Sequence, residues 1–227
     1  MDSRERVGQV LERIERAKQK SPFSPSVRLV AVTKGVEVAL VREAAAKGLQ
    51  EFGENRIQEA APKVTQLPSL RWHMIGHLQT NKVRQALELF EFIQSVDRLS
   101  LVEGIDREAR RLNKTVQVLI QVNLQEDPSK FGFLPEVLLR TLETIAPLNS
   151  LKVLGLMTIA PLAADPESCR PFFRKLRSLR ERAAKEKFPN CDLSILSMGM
   201  SQDFEVAIEE GSNMVRLGTA IFGERQK

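Results

Sequence analysis

The chain has 227 residues, enough for one ordinary domain with a sizeable core, and its 42% hydrophobic content excludes a disordered chain. No stretch approaches the roughly 20 apolar residues of a membrane span, so no membrane partner is expected. Lys+Arg 34 against Asp+Glu 29 leaves a formal charge of +5, which suits an anionic ligand; with no groove-reading motif beside it, it does not predict nucleic acid.

In chain order, Val7, Val10, Leu11 and Ile14 open the sequence with a helical stripe. The stretch "SPFSPS" (21–26), with prolines at 22 and 25, ends it. Short apolar runs follow at 27–33, 49–53, 71–76, 90–96, 115–124, 151–159, 192–198 and 214–222. Helical patterns fill the gaps at 36–47, 56–67, 79–88, 98–112, 134–146, 166–187 and 202–210. Alternating strands and helices predict parallel strands joined by crossover helices. Eight such units predict a single α/β domain over 1–227, a closed (β/α)8 TIM barrel. The last strand leaves no room for a following helix, so the N-terminal helix is expected to complete the outer ring. An open doubly wound sheet is the other topology, but "TKGVEV" after the first strand lacks GxGxxG. Pro62 falls inside the 56–67 pattern and predicts two short helical pieces there.

Cys169 and Cys191 show no paired or metal-binding spacing, and the N-terminus is charged with no apolar signal region. A reducing cytosol, hence a cytoplasmic protein, is the expectation. His73 and His77 flank a strand end without a third ligand, so no metal is expected, although His77 can line the barrel mouth. The helix at 170–187 carries eight basic and two acidic residues, with Phe172, Leu176, Leu179 and Ala183 as its apolar stripe. A solvated basic face is the expected reading, with an acidic partner second.

In a barrel the C-terminal strand ends share one mouth, where active sites lie. Lys34 ends the first strand, Asn55 follows the second, and Ser197, Ser201, Arg216, Gly218 and Thr219 belong to the last two. Ser201 stands where an N-cap is expected for the 202–210 helix. Beside Gly218 and Thr219, that helix start makes a candidate phosphate site. Lys34 either snorkels out of the barrel rim or pairs with Glu54, or it attacks a carbonyl to form a Schiff base. A lysine facing a phosphate pocket is the arrangement pyridoxal 5'-phosphate (PLP) demands. Arg216 is either a core ion-pair partner or a donor to the pyridine nitrogen. The latter leaves that nitrogen unprotonated and the ring a weaker electron sink.

The motifs "VAVTKG", "FGENRIQE", "WHMIGHLQTNK", "GLMTIA" and "LSMGMSQDFEVAIEEGSNMVRLGTAIFG" occur in order across roughly residues 3 to 224. Together they resemble the pyridoxal-phosphate homeostasis proteins, whose barrel is similar to the N-terminal domain of bacterial alanine racemase. The resemblance implies that Lys34 holds PLP as a Schiff base and that Ser201, Gly218 and Thr219 hold the phosphate, with Ser197 nearby. It also places Asn55 near the ring and Arg216 at the pyridine nitrogen. The implied role is intracellular PLP homeostasis and amino- and keto-acid balance with little or no catalysis, and PLP-dependent apo-enzymes are the candidate recipients.

Two enzymatic readings stand beside this one. A racemase-like enzyme needs a second base, in the related barrels a tyrosine assisted by a second domain, and the chain contains no tyrosine. A cofactor-free Schiff-base aldolase would not need ring contacts at Asn55 and Arg216. Without the racemase's second domain, its usual dimer interface is incomplete, so a monomer is expected.

Overall fold

The structure is a computed structural model that describes residues 3–23 and 26–224. Pro25, one of the two prolines expected to end the first helix, lies outside them. Among the described residues, eight parallel strands close into a barrel in sequence order. They are β1 (Arg28–Val32), β2 (Glu51–Glu54), β3 (Arg71–Met74), β4 (Phe92–Val96), β5 (Val116–Gln121), β6 (Leu151–Met157), β7 (Cys191–Ser197) and β8 (Met214–Leu217). Closure is direct, since β1 pairs with β8 through Arg28 opposite Met214 and Val30 opposite Arg216, which excludes the open sheet.

The helices are α1 (Ser3–Lys20), α2 (Val38–Ala46), α3 (Ile57–Gln66), α4 (Val83–Leu89), α5 (Leu99–Arg111), α6 (Leu138–Ile145), α7 (Arg170–Lys185), α8 (Phe204–Glu209) and α9 (Thr219–Phe222). Helix α1 packs between α8 and α2 and against α9, so it takes the eighth place in the outer ring. Its buried face is Val7, Val10, Ile14 and Ala17; Leu11, expected in that stripe, is 42% exposed because the stripe turns away from it. Burying each valine or isoleucine there contributes roughly 1.5–3 kcal/mol.

Three other expectations change. The 214–222 run is not one strand: β8 stops at Leu217, and Gly218 turns the chain into α9. Apolar residues fit a short strand or a short helix equally well, and only pairing with β1 and β7 marks where the strand ends. Pro62 does not split α3, which runs unbroken past it. Both Pro62 and Gln58, whose carbonyl loses its donor, sit on the exposed side, where water can satisfy the missing bond. On α7 the buried face uses Phe173 rather than Phe172, with Leu176, Leu179 and Ala183.

Part of the basic face of α7 is paired within the chain. Arg170, Arg174 and Arg177 all reach the Glu210 carboxylate, and Arg170 also binds Glu209. These pairs tie α7 to the end of α8 and lower the Glu210 carboxyl against the opposing effect of its burial. Among the described residues, no helix is long and apolar enough to cross a membrane.

Most of the core lies between strands and helices. Inside the barrel, Val30, Phe92, Leu119, Met157, Ile195 and Met214 form a separate apolar cluster. The rest of that interior is polar, with Glu51, His73, Gln94, Ser197 and Arg216 all buried.

Candidate functional site

A cavity of about 350 Å³ opens at the C-terminal mouth of the barrel. Six of the seven residues singled out in the sequence line it: Lys34, Asn55, Ser201, Arg216, Gly218 and Thr219. They come from β1, β2, β8 and the turn after β7, so the barrel alone brings them together.

Lys34 stands just beyond β1, at a turn closed by a bond from the Val36 N–H to the Thr33 carbonyl. Gly35 makes that turn at φ 67, in the left-handed region that favours glycine, and its N–H donates to Glu59. The Lys34 side chain is half-buried and, among the described residues, has no hydrogen-bond or ion-pair partner. The alternative of pairing with Glu54 does not hold. Glu54 is fully buried, accepts from the Thr33 hydroxyl at 2.7 Å, and is bound by Lys63. Lys63 also donates to the Thr33 carbonyl at 2.6 Å. One lysine therefore neutralises the buried carboxylate and leaves the other free to face the cavity.

Asn55 follows directly, and its N–H donates to Glu54 at 3.2 Å. Gly76 makes its position possible: a Cβ there would lie 2.4 Å from the Asn55 carbonyl oxygen.

Ser201 is not the cap of α8. That helix begins at Phe204, and it is Asp203 that accepts from the Met200 N–H, at 2.6 Å. The Ser201 hydroxyl instead crosses to the next strand's end and accepts from the N–H groups of Gly218 and Ala220, at 3.2 Å each. Two hydroxyls (Ser201 and Thr219) and a glycine thus meet at one end of the cavity, with the Gly218 and Ala220 N–H groups already taken by the Ser201 oxygen. A Cβ on Gly218 would meet only Val32, at 3.5 Å or more, so packing within the protein does not require glycine there. What glycine leaves open is cavity space beside the Ser201 and Thr219 hydroxyls.

Arg216 forms the floor. It is buried, donating to the Ser197 hydroxyl at 2.6 Å and to the Thr158 carbonyl at 2.8 Å. Burial lowers its guanidinium to about 10, opposed by the nearby Asp203, so it is still charged at neutral pH. Ser197 does not line the cavity; its fully buried hydroxyl sits behind Arg216.

His73 and His77 part company. His73 is enclosed in the barrel, while His77 sits at the rim, with its Nδ1 2.6 Å from Asp97 and its ring stacked on Phe131. Among the described residues, no three His, Cys, Asp or Glu side chains converge on a metal position. Sequence reasoning missed Asp203 and Cys169 in the cavity wall and the Glu54–Lys63 pair behind Lys34. The only advance signal for any of them was a glutamate at a strand end.

Fold and site together define a (β/α)8 barrel whose mouth sets a lysine, without a partner among the described residues, against a buried arginine and the Ser201 and Thr219 hydroxyls. Residues 7–226 match the family described as alanine racemase, N-terminal domain. A "Pyridoxal phosphate homeostasis protein" of Aquifex aeolicus (strain VF5) is 44% identical over 100% of both chains. PipY of Synechococcus elongatus PCC7942, solved with PLP bound, is 37% identical with a TM-score of 0.86, over 98% of this chain and 100% of that one. An alanine racemase of Clostridium difficile 630 is 14% identical with a TM-score of 0.75, over 96% of this chain and 56% of that one, and shares the fold alone. The chain belongs to the alanine racemase N-terminal domain family and, within it, to the pyridoxal phosphate homeostasis proteins.

Proposed function

We propose that this chain binds PLP at the barrel mouth, holds it through Lys34, and serves its homeostasis rather than a two-base catalytic cycle. The observation that carries the reading is a lysine amine with no partner among the described residues, sharing one cavity with a buried, charged arginine, the Ser201 and Thr219 hydroxyls and Gly218. The chemistry of that donor set fits the group at each end. When bound, PLP supplies an aldehyde for a lysine amine and an electron-withdrawing pyridine ring.

The chain's own residues then divide the work. The Ser201 and Thr219 hydroxyls are the phosphate donors; the Gly218 and Ala220 N–H groups, which donate to the Ser201 oxygen, leave its own proton for the phosphate. Arg216 offers the ring nitrogen a donor that stays protonated, so that nitrogen does not take up a proton and the ring remains a weak sink. Asn55 closes the ring's flank. Apolar Val32, Ile75 and Ile159 line the walls and limit water.

Turnover as a racemase would need a second proton carrier opposite Lys34, and the other titratable groups in the cavity wall are poorly suited to that. Asp203 is occupied by the Met200 N–H. Burial raises the Cys169 thiol above its usual range, so it is a poor source of thiolate.

The proposal extends to a monomer acting as one PLP-binding unit over 1–227 in a reducing cytosol, handing PLP to PLP-dependent apo-enzymes. Both cysteines are free, in keeping with that compartment. The test is an absorbance spectrum of protein reconstituted with PLP, followed by borohydride reduction and peptide mapping. We expect a visible band and label on Lys34, both lost in Lys34→Ala. A spectrum that does not change on adding PLP overturns the reading. Robust turnover of L-alanine or another amino acid overturns the preference for carriage over catalysis.

A further inference from the structure

Behind Arg216 a line of buried polar groups runs down the barrel interior, away from the cavity. The Ser197 hydroxyl, which accepts from Arg216, donates to Gln94 Oε1 at 2.7 Å. Gln94 Nε2 lies 2.9 Å from His73 Nδ1, and His73 Nε2 lies 3.5 Å from Glu51. Glu51 in turn binds Arg28 and Arg71. Such an interior is ordinarily packed with Val, Ile and Leu, and burying polar groups there is costly unless each is paired.

We propose that Gln94 and His73 are positioning residues for Arg216, fixing the direction of its supporting hydroxyl and so the aim of its guanidinium at the cofactor ring.

The direction follows link by link. Burial, helped by the Arg28 and Arg71 charges, lowers the His73 imidazole to about 3, so at neutral pH it carries one N–H. The Glu51 carboxylate beside Nε2 draws that proton there, which leaves Nδ1 an acceptor. Nδ1 can then be met only by the Gln94 NH2, so Gln94 turns its carbonyl to Ser197. That carbonyl takes the single hydroxyl proton of Ser197, and the Ser197 lone pairs face Arg216. Reversing any link would set the hydroxyl proton against the guanidinium N–H. With the chain intact, Arg216 rests on two acceptors, Ser197 Oγ and the Thr158 carbonyl, with its other donors left for the cavity.

This inference rests on the PLP reading, and the experiment separates the two. Wild type, Gln94→Leu, His73→Leu, His73→Asn and Ile120→Ala are each titrated with PLP. The bound chromophore is then followed against pH, and each protein is reduced with borohydride and mapped. Ile120 belongs to the core between barrel and helices, so its variant controls for lost stability alone. His73→Asn keeps an acceptor for Gln94. Gln94→Leu and His73→Leu should bind PLP about tenfold more weakly, the loss of one charged hydrogen bond, and shift the chromophore's pH midpoint while still labelling Lys34. His73→Asn should lie within about twofold of wild type, and Ile120→Ala should not shift the midpoint. Unchanged affinity and midpoint in both leucine variants overturns the inference, as does an equal shift in Ile120→Ala. Wild type that takes no label overturns the PLP reading and this inference with it.

Discussion

His73 should make this fold acid-labile in a defined pH window. The ring is 1% exposed, stacked on Phe92 with centroids 5.2 Å apart, and faced by Gln94, Glu51, Arg28 and Arg71. In the folded chain it titrates at about 3, against 6.5 when free. Between those values the unfolded chain binds a proton that the folded chain refuses, so stability falls as pH falls. The contribution is fully present above pH 6.5 and is lost progressively toward pH 3. Each pH unit in that range removes about 1.4 kcal/mol, hence on the order of 3 kcal/mol by pH 4.5. The assay is urea unfolding of cofactor-stripped protein at several pH values from 7.5 to 4.5, for wild type and His73→Asn. Other groups that titrate in acid, such as Glu205 and Glu210, are common to both proteins and cancel in the difference. The variant should be less stable at pH 7.5, and the gap should narrow by about 3 kcal/mol at pH 4.5. A gap that stays constant with pH would refute the reasoning.

Two further perturbations test the packing. Lys63→Met leaves Glu54, fully buried, without its counter-charge and should cost about 3–5 kcal/mol in chemical denaturation, more than Lys34→Ala, whose side chain has no partner among the described residues. The glycines of the barrel should separate: Gly155→Ala puts a Cβ 1.9 Å from the Ile195 carbonyl oxygen and should sharply lower the melting temperature. Gly218→Ala, with its nearest contact at 3.5 Å, should melt near wild type yet bind PLP more weakly, as read by absorbance titration.

The barrel was legible in the sequence because alternation of strand-length apolar runs with amphipathic segments is a local signal repeated eight times. The place of α1 followed from counting: eight strands need eight walls, seven helical patterns lie between them, and the pattern in front of β1 is the eighth. The same local signal misread 214–222 and the stripes of α1 and α7. Period and composition do not say where a strand's neighbour stops or which arc of a helix meets the sheet. Lys34 and Arg216 were legible as chemistry because a charged residue on an apolar strand needs a reason to be there.

What those charges face was decided only by closure of the barrel. Glu54 lies twenty residues from Lys34 and nine from Lys63, and either lysine is a plausible partner on paper; the fold gives the carboxylate to Lys63 and leaves Lys34 to the cavity. Ser201 looked like the cap of its own helix, yet its hydroxyl spans to Gly218 and Ala220 on the following turn. Nothing in the sequence joined Gln94, His73 and Glu51, because a hydrogen-bonded line across a barrel joins residues on different strands with no fixed spacing in sequence. Local periodicity is written in the order of the residues. Pairing between buried charges is settled by distance in space, and the sequence alone does not hold that distance.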